Sequence, residues 1–395
     1  MAGNNALSPE LAVLRVQVRR FVDDEVIPNE PALNQHDAAA DELMRRLQAK
    51  AKAEGLWALG HPREIGGGGL PFLDYVYVNE VVGRSEHAMV ALGTHSLQDS
   101  IMLHLFASPE QRERYLYPLV NGEIYPSVGM TEPEVAGSDP TQIRTVARLD
   151  GDEWVINGHK WFTTFANRAA FTTVFARTDP DADSHRQFSM IIVPTDTPGY
   201  ELVRVVPTMG HTGGGHCEIR FNDCRVPAGN LLGERGDGFR ITQKRLGPGR
   251  IFHCMRWLGQ AERAFELMCA RALEREAFGT KLADKGEIQR YIAESAAEIQ
   301  AARLMTLDAA RVLDEGGEAR TEISMIKFFG AQVLHNVIDR AIQVHGALGT
   351  TADTPLEKMY REARYARIYD GPDEVHRMVV ARRMLAHHLD GAPWS

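Results

Sequence analysis

The sequence has few cysteines, no long apolar run and no basic block, and each absence excludes a class of protein. Four cysteines in 395 residues form no Cys-x-x-Cys pair, which predicts reduced thiols in a cytoplasmic protein unless a leader has been removed. No apolar run approaches membrane-spanning length, and the start of the chain has no charged-then-apolar signal pattern. A net charge of -9 without a basic arm argues against nucleic acid as the main partner.

Two glycine patterns that bind phosphates are also missing. No Gly-x-Gly-x-x-Gly follows a predicted strand, so nothing indicates a Rossmann dinucleotide site. The four glycines Gly66–Gly69 are not followed by the lysine and hydroxyl residue of a phosphate loop, which favours a flexible turn between helices. His211 and His216 flank a glycine-rich loop without other ligand-type residues nearby, so no metal site is predicted.

Hydrophobic periodicity divides the chain into helices, then strands, then helices. Ser8-Pro9 is a good helix start, Pro28 is expected to end that element, and a second helix is predicted from about Asp41 to Gly55. A helical period returns near Gly238 and continues to the end of the chain. Its apolar stripes indicate long antiparallel helices joined by short turns, as in a bundle.

The middle segment predicts a small β-domain. Ile143–Leu149 alternates, Asp150-Gly151 turns the chain, and Asn157-Gly158 is a strong hairpin signal. Further strands are predicted at Phe171–Ala176, Phe188–Val193 and Cys217–Phe221. The predicted fold class is mainly α with a central β-domain. The predicted domains are a helical domain at 1–125, a β-domain at 126–238 and a helical bundle at 239–395.

One carboxylate has a setting that suits a catalytic base. Asp370 stands directly before a Gly371-Pro372 break, behind an arginine-rich helical stretch. A carboxylate at a helix end, beside a glycine that lets a ligand approach the backbone, fits a base that points into a pocket. Alone, the same pattern more often marks a helix stop with solvated acids, so other segments must support it.

Four segments together resemble the acyl-CoA dehydrogenase family. They are Met130–Asp139, Asn157–Thr164, Arg275–Gly279, and Gln343–Gly349 joined to the Asp370 segment. Their order and spacing fit the family over nearly the whole chain. Gly247–Ile251 and the run Asp-Gly-Pro-Asp-Glu-Val-His are similar to a narrower subgroup, the dehydrogenase modules that animals fuse to an aminoglycoside-phosphotransferase-like kinase domain. This sequence carries no such kinase domain, so no chemistry that depends on one is expected.

The resemblance implies a fold, a cofactor and a reaction. The fold would be an N-terminal helical domain, a middle β-barrel-like domain and a C-terminal helical bundle. The cofactor would be FAD, the substrate an acyl-CoA thioester of fatty acid metabolism, and the electron acceptor an electron-transferring flavoprotein or a similar protein. A base would take the α-proton while flavin N5 takes the β-hydride, leaving a trans-2-enoyl-CoA. A homodimer or homotetramer is implied, because some of the family's cofactor contacts cross a subunit interface.

The resemblance implies Asp370 as the base, and this residue is also the main departure from the family. Most members carry glutamate here, one methylene longer, and a misplacement of about 1 Å can cost on the order of a hundredfold in rate. Some members instead hold the base on the first long C-terminal helix, at a position that corresponds to Gly249, which cannot serve. Asp373 and Glu374 are the nearest rivals of Asp370.

The other matched positions concern the cofactor and the substrate. Cofactor contacts are implied for Met130, Thr131, Ser138, Trp161, Phe162, Thr163, Arg275, Phe278, Gln343, Gly346, Pro372 and Glu374. Substrate contacts are implied for Ser138, Arg250 and Gly371. Arg275, Phe278, Gln343 and Gly346 match residues that reach the FAD of a neighbouring subunit. One extra residue between Pro133 and Ser138 departs from the commonest pattern.

Two other functions fit parts of the same pattern. Nitroalkane oxidases resemble this family and use an aspartate base, so a flavin oxidase is one alternative. The missing glutamate also allows a catalytically silent subunit that binds flavin or CoA. The complete set of motifs favours the dehydrogenase, while the length, branching and hydroxylation of the acyl chain stay open.

Overall fold

The computed structural model describes residues 7–209 and 215–391 and follows the predicted order of helices, strands and helices. His211 lies outside the described residues. The first helices are α1 (Pro9–Phe21), α2 (Glu30–Leu33), α3 (Ala38–Ala53), α4 (Phe72–Val82), α5 (Ala88–Ala91), α6 (Leu97–Phe106), α7 (Pro109–Gln111) and α8 (Tyr117–Val120).

The first helix begins as predicted but the chain does not leave the helical path at Pro28. Ser8 caps α1, because its hydroxyl accepts the N–H of Leu11 at 3.1 Å. After α1 the chain continues through a π-helical turn, Val22–Val26, and a 3-10 turn, Ile27–Asn29, into α2. Pro28 lies at the start of that 3-10 turn, where its missing N–H costs no helical hydrogen bond.

Most strands of the described chain form one sheet. The strands are β1 (Pro126–Gly129), β2 (Val146–Asp150), β3 (Glu153–Thr164), β4 (Phe171–Arg177), β5 (Phe188–Pro194), β6 (Tyr200–Val205), β7 (His216–Pro227) and β8 (Leu231–Leu232). Their order is β6-β7-β3-β2-β4-β5-β8, and β1 pairs with β4. The β1–β4 and β2–β4 pairs are parallel and the others antiparallel.

The hairpin predicted at Asn157-Gly158 is wrong. β3 runs straight through both residues, and the chain turns earlier at Gly151, whose φ is 65°. The pairing of β3 with β7 shifts register between Ile156 and Gly158, so Gly158 marks an irregularity within the strand. A Cβ on Gly158 would lie 2.3 Å from Thr145 Oγ1. Gly158 therefore makes room for the side chain of Thr145. An Asn-Gly pair can thus occur inside a strand for packing reasons as well as in a tight turn.

Long helices make up the rest of the chain. They are α9 (Gly238–Glu274), α10 (Gly286–Asp314), α11 (Arg320–His345), α12 (Leu356–Ala366) and α13 (Asp373–Leu389), with a short hairpin of β9 (Glu276–Ala277) and β10 (Thr280–Lys281) after α9. Gly247–Ile251 lies inside α9, which contains Pro248 within its span. Among the described residues, no helix is both long enough and apolar enough to cross a membrane.

Backbone contacts divide the chain into two compact units. The first comprises the described residues up to Pro31, Leu70–Leu92, and the described residues from Pro248 onward. In this unit α4 and α9 pack closely, because a Cβ on Gly259 would lie 1.9 Å from the carbonyl oxygen of Glu80. α11 packs against α10, α12 and α13.

The second unit comprises Ala32–Gly69 and Gly93–Gly247. Its sheet carries one core on each side: Phe171, Phe175 and Phe188 belong to a cluster with residues of α6 and α8, while Trp154 and Phe221 belong to another cluster of strand residues. The domain boundaries after residues 125 and 238 stay a prediction.

The glycine run after α3 is a packed turn and not the flexible one predicted. The N–H groups of Gly67, Gly68 and Gly69 donate to backbone carbonyls of residues 58–62 at 2.8 to 3.0 Å. A Cβ on Gly67 would lie 2.3 Å from the carbonyl oxygen of His61. These amides are therefore used inside the protein, and the run is glycine-rich because two stretches of backbone touch.

Gly67→Ala should lower the free energy of unfolding by about 1–3 kcal/mol, because backbone and not a mobile side chain must move to admit the methyl group. Urea denaturation followed by circular dichroism measures this change. Gly229→Ala is the matched control, since no atom lies within 4 Å of the added Cβ. Equal urea midpoints for the two variants would contradict the close packing of this turn.

Candidate active site

Asp370 lies in a tight turn between α12 and α13 in the first unit. Its φ is 53° and that of Gly371 is 102°, so two consecutive residues adopt left-handed conformations. Aspartate is among the side chains that tolerate this region best. Gly371 has no substitute, because a Cβ there would lie 2.6 Å from His376 Nε2. The glycine predicted to let a ligand approach is thus also required by the turn itself.

Two side chains hold the backbone of this turn at the same atom. Arg250 Nε donates to the carbonyl oxygen of Asp370 at 3.0 Å, and His376 Nε2 lies 3.1 Å from that oxygen. A carbonyl only accepts, so His376 carries its proton on Nε2. Burial lowers the pKa of His376 to about 4, so its ring is neutral at pH 7. Arg250 and Gly371 are both predicted to contact the substrate. Arg250 hydrogen-bonds to Asp370, and Gly371 is the next residue in the chain, so both lie beside Asp370.

A buried lysine fixes the chain on either side of Asp370. Lys327 Nζ on α11 donates to the carbonyl oxygens of Ala366, at 2.8 Å, and Gly371, at 3.3 Å. The same ammonium lies 5.0 Å from the ring centre of Trp257 and 5.2 Å from that of Tyr369. Burial lowers the pKa of Lys327. The lysine thus joins the end of α12 to the turn.

The Asp370 carboxylate contacts a histidine that the sequence motifs did not indicate. His253 Nε2 on α9 lies 3.2 Å from Asp370 Oδ2, and both side chains are about one-quarter exposed. Burial, with the charge of Arg256 adding to it, lowers the pKa of His253 to about 4. The available signal was spacing, since Arg250, His253 and Trp257 recur three and four residues apart on one helix.

The two rival carboxylates have different surroundings. Asp373, at the start of α13, is buried and pairs with Arg367 at 2.7 Å. The Glu374 side chain is 79% exposed. Pro372 occupies the N-cap position of α13 without a side-chain cap. Asp373 is thus neutralised by an arginine and Glu374 faces solvent, whereas the Asp370 carboxylate is partly exposed and contacts His253.

The first cofactor motifs meet in the second unit. Thr131 Oγ1 donates to the carbonyl oxygen of Trp161 at 2.8 Å, and the N–H of Trp161 donates to that of Thr131 at 3.1 Å. The carbonyl oxygen of Met130 accepts from Lys160 Nζ at 2.8 Å. Segments that are 30 residues apart in sequence are thereby joined side by side. Ser138 lies exposed in the turn region after β1.

A fully buried ion pair supports that contact. Lys160 Nζ lies 2.9 Å from Glu132 Oε1, and the two side chains are 0% and 1% exposed. The Glu132 carboxylate also accepts the N–H groups of Arg144 and Thr145, at 2.7 and 2.8 Å. Burial alone would raise the pKa of Glu132. The charge of Lys160 and the hydrogen bonds outweigh burial, so the pKa lies below its usual value. The carboxylate is therefore ionised at neutral pH.

Two further cofactor candidates follow on β3. Phe162 is 43% exposed, has a φ of 51° and packs edge-on against Trp161 with ring centres 4.8 Å apart. Thr163 is fully buried, and its hydroxyl has no hydrogen-bond partner within the described residues. A buried hydroxyl without a partner is costly in a folded protein. A bound group with a hydrogen-bonding atom at this position would supply a partner for the hydroxyl.

The remaining cofactor candidates are exposed in the first unit. Arg275 follows α9, and Phe278, at the tip of the β9–β10 hairpin, is 99% exposed. Gln343 is exposed in the last turn of α11, and Gly346 ends that helix with a φ of 64°. Phe278 is exposed at the tip of this hairpin, where its ring is available for contact with another molecule.

Comparison with known proteins identifies the family. The models of the N-terminal, middle and C-terminal domains of acyl-CoA dehydrogenase match residues 8–123, 127–224 and 236–385. The Mycobacterium tuberculosis protein named "Probable acyl-CoA dehydrogenase FadE2" is 44% identical over 96% of this chain and 97% of its own length. A solved structure from Mycobacterium abscessus, also assigned to the acyl-CoA dehydrogenases, matches with a TM-score of 0.91 at 40% identity, over 97% of this chain and 100% of that one.

The chain belongs to the acyl-CoA dehydrogenase family. It is an FAD-dependent oxidoreductase of that class, which confirms the predicted fold class, enzyme class and cofactor. Mouse acyl-CoA dehydrogenase family member 10 is 42% identical over 96% of this chain, and the chain spans 37% of that protein's length.

Lys160→Met should lower the free energy of unfolding by about 3–5 kcal/mol, because it leaves the Glu132 carboxylate buried without its counter-charge. Urea denaturation of the apoprotein measures the loss. Arg225→Met is the matched control on the same sheet, since Arg225 pairs with Asp150 at 2.8 Å while both side chains are about half exposed or more. Its cost should be about 0–1 kcal/mol. Similar losses in both variants would argue against a special role of the buried pair.

Proposed function

We propose that this chain dehydrogenates an acyl-CoA thioester to a trans-2-enoyl-CoA, with Asp370 as the base. The observation that carries the proposal is the anchored turn. Asp370 receives hydrogen bonds from Arg250 at its carbonyl oxygen, and its carboxylate lies 3.2 Å from His253 Nε2. A base must be held at a fixed place to remove a weakly acidic proton. Asp370 is held at its carbonyl oxygen and contacts His253 through its carboxylate.

The protein's own residues supply binding, orientation and the proton acceptor. Asp370 takes the α-proton, and Gly371 leaves the backbone open for approach of the thioester. Arg250 acts on the main chain of Asp370, since its Nε donates to the carbonyl oxygen of that residue. Arg250 is therefore proposed to orient the base. Ser138 is proposed as a further substrate contact.

The described residues fit the FAD that the family uses. When bound, FAD accepts the β-hydride of the substrate. We assign its ring contacts to Met130, Thr131, Trp161, Phe162 and Thr163. The buried hydroxyl of Thr163, which lacks a partner, is the observation that supports this assignment. Ser138, Pro372 and Glu374 are proposed as further cofactor contacts.

A second set of cofactor contacts is proposed to come from a neighbouring subunit. Arg275, Phe278, Gln343 and Gly346 are all exposed on the single chain, which leaves them available to another copy. Arginine suits a pyrophosphate, because its planar group donates two parallel hydrogen bonds. The active protein is accordingly proposed to be a homodimer or homotetramer.

The finer assignments follow from the same resemblance. An electron-transferring flavoprotein or similar acceptor is the proposed redox partner, and the cytoplasm is the proposed compartment. The chain is proposed to belong with the animal dehydrogenase modules that are fused to a kinase domain, and the 42% identity with mouse family member 10 agrees with this proposal. Straight, branched and hydroxylated acyl-CoAs are all candidates for the substrate.

Asp370→Asn should retain bound flavin but lose its anaerobic bleaching by an acyl-CoA, because an amide cannot take the α-proton. Absorbance of the flavin under nitrogen measures the reaction over a panel of acyl-CoAs. Asp353→Asn, an exposed position before α12, is the control with the same chemical change. Full bleaching by Asp370→Asn would remove this residue from the mechanism. Loss of bleaching in Asp373→Asn or Glu374→Gln, with Asp370→Asn unaffected, would transfer the role to a rival carboxylate.

Oxygen consumption separates the oxidase alternative from the dehydrogenase. The proposal expects flavin reduction by an acyl-CoA and no turnover of a nitroalkane. Oxygen uptake with a nitroalkane and no reduction by any acyl-CoA would favour an oxidase. A purified protein that takes up no FAD at all would favour the silent subunit.

Thr163→Val should weaken FAD binding about 2- to 10-fold, the loss of one hydrogen bond worth about 0.5–1.5 kcal/mol. The apoprotein should be no less stable, because the replaced hydroxyl has no partner among the described residues. Titration of the apoprotein with FAD measures the affinity. Thr173→Val on β4 is the matched control, because that hydroxyl is also buried without a partner in the described structure. Equal affinities for both variants would contradict the assignment of Thr163.

A further inference from the structure

His253 contacts the Asp370 carboxylate, and no motif assigns a role to this histidine. We infer that His253 is a positioning residue that holds the carboxylate of the base through a neutral Nε2–H donor. The role in catalysis rests on the proposed function, whereas the hydrogen bond itself does not. The tautomer of the ring, its charge, its rigidity and its place on α9 all suit this role.

The tautomer of His253 follows from the neighbour on its other side. Arg256 Nη2 lies 2.8 Å from His253 Nδ1. A guanidinium has only donors, so Nδ1 must be the accepting nitrogen and carries no proton. The proton of a neutral ring is then on Nε2, the atom that lies 3.2 Å from Asp370 Oδ2. The ring therefore donates to the carboxylate.

The charge of the ring follows from its surroundings. Burial, and the nearby positive charge of Arg256, lower the pKa of His253 to about 4. The imidazole is thus neutral at pH 7, and its only lone pair is on Nδ1, where it faces Arg256. A ring in this state has no free acceptor for the α-proton, so His253 does not compete with Asp370 as the base.

Aromatic neighbours hold the ring in place. Its centre lies 5.0 Å from that of Tyr369 in an edge-on contact and 6.2 Å from that of Trp257 in a stacked one. Trp257 Nε1 donates to the Tyr369 hydroxyl at 2.7 Å, and this hydroxyl lies 3.5 Å from His253 Nδ1. The donor is consequently fixed by packing and by hydrogen bonds, as a positioning group requires.

The place of His253 on α9 explains what it adds to Arg250. The two residues are one helical turn apart, and they contact opposite ends of the same residue: Arg250 the carbonyl oxygen of Asp370, His253 its carboxylate. The first contact fixes the backbone and the second restricts rotation of the carboxylate about Cβ–Cγ. The aspartate side chain is short and has few conformations that could compensate for a misplaced backbone. The contact at the backbone and the contact at the carboxylate are therefore both important.

Two substitutions separate a donor from mere packing. His253→Leu removes the donor and keeps an apolar side chain, whereas His253→Gln can place an amide N–H near the former Nε2. At saturating acyl-CoA, His253→Leu should slow anaerobic flavin reduction about 10- to 100-fold, with a nearly unchanged half-saturating concentration. His253→Gln should recover most of the rate. His387→Leu, at an exposed position on α13, is the control and should react like the parent protein.

Two results would overturn the inference. One is a rate in His253→Leu equal to that of the parent. The other is an equal loss of rate in both His253 variants together with equal losses of thermal stability, which would mark a packing role.

A spectroscopic measurement tests the hydrogen bond without any substrate. In protein labelled with 15N-histidine, the His253 resonances, assigned by their absence in His253→Gln, should report a neutral ring protonated on Nε2 at pH 7. The Nε2 proton should shift in Asp370→Asn. A ring protonated on Nδ1, or on both nitrogens, would overturn the inference. Failure of every acyl-CoA to bleach the parent flavin would instead count against the proposed function, so the two failures are distinguishable.

Discussion

The turn at Asp370 depends on hydrogen-bond donors from three helices, two of which are remote from it in sequence. Its backbone is left-handed at two consecutive residues, an arrangement that a chain does not keep without support. Arg250, His376 and Lys327 supply that support by donating to carbonyl oxygens of the turn, from α9, α13 and α11. Buried donors thus stabilise the left-handed backbone at Asp370, the proposed base, and thereby fix the position from which its side chain extends.

In the second unit, a buried ion pair holds together segments that are distant in sequence. There a buried charged pair, Lys160 and Glu132, ties the carbonyl of Met130 and the amides that follow residue 143 to β3. Buried charges are costly unless every partner is present, so the pair favours one arrangement of these segments over looser ones. The segments that it joins are the ones that carry Thr131, Trp161 and the unpartnered hydroxyl of Thr163. Polar groups are thereby organised before any cofactor binds.

Family membership and local geometry answer different questions about this protein. Membership gives the class of reaction and the FAD, since the flavin performs the redox step in every such enzyme. It does not explain how an aspartate, the proposed base, is held in position. The contacts of His253 and Arg250 offer a physical account, because they restrict both the backbone and the carboxylate of the shorter residue.

The sequence by itself determined the order of helices and strands, because this order follows from periodicity. The prediction of Asp370 also needed the resemblance of its motifs to a known family. The sequence misled at Asn157-Gly158, where the local pattern of a turn hides a strand irregularity caused by Thr145. No motif pointed to His253 or Lys327, although the helical spacing of Arg250, His253 and Trp257 was an available signal for the histidine. Only the tertiary structure decided those contacts, because Arg250 and Asp370 are 120 residues apart and meet through helix packing, which local sequence does not encode.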